Sequence, residues 1–187
     1  MRLTPNRLAL PLLVAVTLPT LPSLALAQAK PPANPTAQAT LLGQYGDWGA
    51  YTASPGGQKV CFALAKPTSS VDNPPNRRTV ANPVYMFIST RPTEKVSNEV
   101  SILVTGYVFK PNSEASVAVG GATFPMYTQN DGAWVKNAAE EAKLLDTMRK
   151  GADVVIKATT SRGTQTTDTF SLKGIAQAVD RASQECK

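Results

Sequence analysis

Two cysteines, Cys61 and Cys186, carry the most distinctive chemistry in this 187-residue chain, and it contains no histidine to assist them. Without histidine neither a Ser-His-Asp nor a Cys-His nucleophile can be assembled, and the commonest metal ligand is missing. No Ser-x-x-Lys, G-x-S-x-G, G-x-x-x-x-G-K-[ST] or G-x-G-x-x-G occurs. Serine–lysine acyl transfer and the usual hydrolase and nucleotide motifs are therefore not indicated. The cysteines are far apart and form no C-x-x-C; bonded to each other, they leave no thiolate nucleophile and no zinc ligand set. Carboxylates remain, and Glu140-Glu141 stand together. They fall at a predicted helix start, however, where acidic residues stabilise the helix dipole in any protein. The residues thus point to no catalytic group, no metal and no cofactor.

Three features suit binding. Trp134, followed by Lys136, lies at a strand-to-helix junction; the expected role is a core tryptophan beneath the helix start, the alternative an exposed anchor. Arg77-Arg78 lies in a segment, 66–83, with four prolines. It reads as a solvated pair of charges, with binding of an anionic polysaccharide or lipid headgroup as the functional alternative. Arg162 and Asp168 flank a tight turn and are expected to form a surface ion pair, or else to hold a ligand jointly. Nucleic acid is not an expected partner, because no basic stripe interleaves with aromatics.

The elements that must position these residues follow from patterning. Residues 1–27 read as a secretory signal peptide: Arg2 and Arg7 are basic, 8–26 are apolar, and Ala25-Leu26-Ala27 suits cleavage after Ala27. Three prolines, Pro11, Pro19 and Pro22, interrupt the run and argue against a membrane anchor. Cleavage lowers the formal charge from +6 to +4, a mild basic excess. Export favours a Cys61–Cys186 disulfide enclosing about 125 residues; two free buried thiols are the alternative. Residues 28–41 are Pro/Ala-rich and read as a disordered or extended tether, with the folded domain at 42–187.

Within that domain, 44–52 and 58–65 form a predicted hairpin around Ser54-Pro55-Gly56-Gly57. In the second strand Val60, Phe62 and Leu64 share one face, while Cys61 and Ala63 share the other. Further strands are predicted over 84–90, 98–109, 115–119, 122–127, 152–159 and 165–172, with Gly120-Gly121 as a hairpin turn. A helix over 137–150 has Asn137 as N-cap. A second, over 171–186 with Ser171 as N-cap, carries an apolar stripe of Ile175, Ala178, Val179, Ala182 and Cys186. The expected fold is mainly β: an antiparallel β-sandwich or flattened barrel of about eight strands, with two late α-helices and the C-terminal one packed on the sheet.

Several short blocks resemble the invasion-associated locus B family. They are Gly46-Asp47-Trp48, Lys59-Val60-Cys61, Ser97-Asn98-Glu99-Val100-Ser101, Asn130-Asp131-Gly132-Ala133-Trp134, Met148-Arg149-Lys150-Gly151, Arg162-Gly163-Thr164 and Thr167-Asp168-Thr169. The resemblance covers nearly all of 42–187. It implies an exported envelope protein of a Gram-negative bacterium, of the alphaproteobacterial kind, in a family named for a protein linked to host-cell invasion. It brings no catalytic motif. The expected function is non-catalytic binding in the periplasm or outside the cell. The partner would be a protein or surface polysaccharide of the envelope or of a host cell. The alternatives are a carrier of a small apolar ligand and an enzyme built on carboxylates.

Overall fold

The structure is a computed structural model that describes residues 39–79 and 82–187. The expected signal peptide at 1–27 and residues 28–38 of the expected tether lie outside the described residues.

Eleven strands pair antiparallel in one sheet, in the order β1-β2-β3-β5-β6-β9-β8-β7-β10-β11-β4. The first group comprises β1 (Thr40–Tyr45), β2 (Trp48–Ala53), β3 (Val60–Ala65), β4 (Ser69–Asn73), β5 (Val84–Arg91) and β6 (Val96–Val104). The second comprises β7 (Glu114–Val119), β8 (Ala122–Gln129), β9 (Gly132–Val135), β10 (Asp153–Thr159) and β11 (Gln165–Ser171). Helix α1 (Ala138–Met148) follows β9, and α2 (Ile175–Glu185) closes the chain. The mainly β class, the antiparallel pairing and the two late helices hold as expected. The strand number does not: among the described residues there are eleven, with β1 and β4 at the two edges, so the sheet is not closed.

The three strands beyond the expected eight each lack an apolar period long enough to read. Strand β4 is polar throughout except Val71, because an edge strand needs no buried face. Strand β9 has only four residues. Strands β1 and β2 split one expected strand at Gly46, whose φ of +56° sets a two-residue hairpin turn. The strand expected over 98–109 is displaced to Val96–Val104.

One core lies on the inner face of the coiled sheet. Trp48, Ala63, Met86, Ile102, Val117, Met126, Ile156 and Phe170 reach it from eight different strands and are almost wholly buried. Helix α2 lies against β1, β2, β3 and β5 and buries Ile175, Ala178, Val179 and Ala182. Each buried Ile or Val contributes about 1.5–3 kcal/mol. The helix does not start at the expected cap: Ser171 ends β11, and Gly174 takes the N-cap position with φ +92°. A Cβ there would stand 1.8 Å from the Tyr45 carbonyl oxygen, so only glycine allows the two backbones to cross. Alongside, Trp48 Nε1 donates to the Ser171 carbonyl at 2.8 Å, and Asp47 N donates to the Lys173 carbonyl at 3.1 Å. Cys61 and Cys186 form a disulfide with Cα atoms 5.9 Å apart, fastening the far end of α2 to β3. At α1, Asn137 caps as expected, its side chain accepting from Glu140 N at 2.9 Å. Among the described residues no helix is long and apolar enough to cross a membrane.

Candidate functional site

In β3, Val60, Phe62 and Leu64 alternate with Cys61, Ala63 and Ala65. The helix takes the small face, because Cys61, Ala63 and Ala65 let α2 lie close and reach the disulfide. The bulky face is thereby turned outward. There Phe62, Leu64 and Phe87 form a second apolar cluster with Tyr51, Ala53, Tyr85 and Leu103 against it. Tyr51 stacks on Phe62 with centroids 5.4 Å apart, and Phe87 packs against Phe62 at a tilt, also at 5.4 Å between centroids.

Register turns this face into a groove. Phe87 of β5 opposes Ser101 of β6, Ser101 opposes Trp134 of β9, and Trp134 opposes Tyr127 of β8. A parallel row runs Phe62, Ser89, Glu99. Each row places a serine between large side chains, and the two serines floor a depression of about 360 Å³. Phe62, Phe87, Leu103, Trp134, Val60 and Pro55 line it, and Arg91 and Glu99 supply its charged groups. The size falls within the roughly 300–1,000 Å³ usual for ligand sites, which are mostly apolar with a few polar groups.

The polar groups are held by one another. Arg91 donates from Nη1 and Nη2 to Glu99 at 2.9 and 3.2 Å, from Nε to Glu94 at 2.7 Å, and from Nη1 to Ser89 Oγ at 3.0 Å. The hydrogen bonds to Glu99 raise the Arg91 pKa further above its ordinary value, against the effect of burial. Ser101 is different. Only 6 % exposed, it lines the groove, and its hydroxyl makes no hydrogen bond to any described residue. Trp134 lies flat on its own strand: a Cβ on Gly132 would meet the indole at 2.0 Å. Tyr127 stacks on the indole with centroids 5.6 Å apart.

The residues singled out from sequence are not brought to one surface. Trp134 is half-buried in the groove wall, a position between the core tryptophan expected and the exposed anchor; the core tryptophan is Trp48. Lys136 is exposed and paired with Glu114. Arg77 is exposed and Arg162 is exposed at the β10–β11 turn. Arg78 and Asp168 depart from expectation. Asp168 points into the interior, 2 % exposed, and its partner is Arg78, not Arg162. Arg78 Nη1 donates to both Asp168 oxygens at 2.9 and 3.0 Å, and Nε donates to Asp72 at 2.5 Å. Its guanidinium also lies 5.8 Å from the Tyr107 ring centroid. Ser70 Oγ completes the cluster by donating to Asp168 at 2.5 Å.

Burial sets the electrostatics of that cluster. It pushes the Asp168 carboxyl above the usual carboxylate range, despite hydrogen bonds from Ser70 and Arg78 that act the other way. Tyr107 is pushed up to about 12, chiefly by burial. Burial disfavours the Arg78 charge, but Asp168 and Asp72 outweigh it and hold the guanidinium ionised. The arrangement anchors the loop after β4: Arg78 N donates to Asp72 and Nη2 to the Val71 carbonyl, which masks part of the exposed β4 edge. Glu141, expected only to serve the α1 dipole, also accepts from Val100 N at 2.6 Å. Burial still raises its pKa.

Phe62, Phe87, Ser89, Arg91, Glu99, Ser101 and Leu103 were not singled out from sequence. One signal pointed to Phe62 alone: β3 has small residues on one face and bulky ones on the other, next to a closing helix that prefers the small face; the residues of β5 and β6 join it only through strand pairing.

A family model described as Invasion associated locus B (IalB) protein matches residues 48–183. That span runs from the first residue of β2 into α2 and includes the groove and the Arg78–Asp168 cluster. No curated protein and no solved structure matches the chain.

Proposed function

The chain belongs to the invasion associated locus B (IalB) family, and from that premise we propose that it is an exported protein of the bacterial cell envelope. It acts by binding, with no catalysis of its own, and the outer-face groove is its recognition site. The observation that carries this reading is the groove: aromatic and apolar side chains left outward on strands whose opposite face is clamped by α2 and the disulfide. A rigid sheet holding a partly exposed aromatic surface is what a recognition site needs, since little ordering entropy is lost on binding. Export is supported by the family and by the disulfide, which persists in oxidising compartments. A carrier would enclose its ligand, whereas this groove is open along its length, so contact with a larger partner in the envelope or on a host surface fits better.

The test is photo-cross-linking in intact cells. A photoreactive phenylalanine analogue at Tyr127, on the groove rim, should trap an envelope or surface component. The same analogue at Asp146, exposed on α1, should not, and Ser101→Phe, which fills the floor, should abolish trapping from Tyr127. Equal trapping from both positions, or trapping that survives the plug in a folded variant, would overturn the assignment.

A further inference from the structure

The groove's polar inventory narrows its ligand. Arg91 is answered by Glu94 and Glu99, so among the described residues no unpaired cation lines the groove and an anionic headgroup or phosphate gains nothing there. Glu99 accepts two N–H groups from Arg91, yet each carboxylate oxygen keeps a further lone pair. Ser101, 6 % exposed as a residue, turns a hydroxyl without a described protein partner into the groove. Among the described residues no buried side-chain oxygen lacks a partner, so this hydroxyl opens onto the groove, where a ligand donor or acceptor can take the place of solvent. On either side of Ser101 stand the rings of Phe87 and Trp134, the latter held flat over Gly132.

The matching ligand is uncharged, carries an apolar face to lie against an aromatic ring, and bears hydroxyls around its rim for Ser101 and Glu99. A pyranose ring has that combination: its axial C–H bonds form an apolar face and its hydroxyls project at the edge. An acyl chain would leave Ser101 and Glu99 unanswered, and a phosphate would meet the Glu99 carboxylate with the Arg91 charge already taken. We infer that the groove is a subsite for an uncharged sugar ring of a cell-surface polysaccharide, with Ser101 and Glu99 reading its hydroxyls and Trp134 and Phe87 taking its face. This rests on the groove being the recognition site proposed above.

Three uncharged oligosaccharides, cellotriose, maltotriose and tri-N-acetylchitotriose, serve as probes, titrated into the exported chain while tryptophan fluorescence is followed. Trp48 is wholly buried with its N–H bonded internally, so a change reports Trp134. At least one trisaccharide should shift the emission, and Ser101→Ala should weaken its binding about threefold to tenfold, the worth of one hydrogen bond, at unchanged melting temperature. Absence of any shift at millimolar concentrations overturns the inference, as does binding that Ser101→Ala leaves unaltered. If no sugar binds while the Tyr127 probe still traps a partner, the sugar assignment fails and the recognition site stands. If neither occurs, both fail.

Discussion

Replacing Arg78 with methionine should be among the most damaging single changes in this protein, and its cost should depend on pH. The side chains of Arg78, Asp72 and Asp168 are only 8 %, 7 % and 3 % exposed. Arg78→Met keeps the length of the side chain but leaves two carboxylates facing each other in the interior without a counter-ion. Breaking a buried pair in this way costs about 3–5 kcal/mol at neutral pH, or about 6–20 °C in melting temperature for a domain of this size. The Asp168 pKa is already raised in the folded state. A raised carboxyl binds its proton more tightly when folded, so its contribution to stability is full below the unfolded pKa near 3.9 and is lost as pH rises through the folded value. Removing Arg78 removes two of the interactions that lower that pKa, and the folded value climbs further. The penalty should therefore be smallest near pH 4 and largest at pH 7. Urea denaturation of the oxidised protein at both pH values measures it. Adding Asp72→Asn and Asp168→Asn to Arg78→Met should recover more than half of the loss at pH 7. A penalty below about 1 kcal/mol, the worth of an exposed pair, or one that is the same at both pH values, would refute the buried-cluster reasoning.

Three further outcomes are expected. Arg77→Ala, one residue away but exposed, should change stability by no more than about 0.5 kcal/mol; a loss like that of Arg78→Met in the same urea assay would contradict the separation of the two arginines. Cys61→Ser with Cys186→Ser should cost about 2–5 kcal/mol, and the unfolded, unreduced parent should show no thiol reactive to a colorimetric reagent, two reactive thiols being the disproof. Gly174→Ala should lower stability by about 2 kcal/mol or more, because φ is +92° and the new Cβ would overlap the Tyr45 carbonyl; an unchanged urea midpoint would show that the β1–β2 turn and the α2 start can separate freely.

What the sequence determined by itself is what depends on near neighbours. The stripe of Ile175, Ala178, Val179 and Ala182 identified α2 and its buried face, since helical period is set by residues three and four apart. Asn137 marked the start of α1 and Gly120-Gly121 a hairpin turn, both matters of local backbone chemistry. The two cysteines allowed one intramolecular pairing, and the small face around Cys61 already told where a helix could lie. Residues that act across long separations were decided only by tertiary structure. Arg78 and Asp168 each look like surface charges, and their burial follows from β4 pairing with β11, which carries Ser70 and Asp72 alongside Asp168; nothing local in Ser69–Asn73 announces a strand. The groove likewise depends on Phe87, Ser101 and Trp134 meeting in one row across three strands. Alternation showed that each strand had two faces, but the choice between them was made by packing. One helix, tethered through Cys186, could cover only one side of β3, and it covered the side where small residues allow close approach, leaving Phe62, Leu64 and Phe87 to pack with their own neighbours on the opposite face.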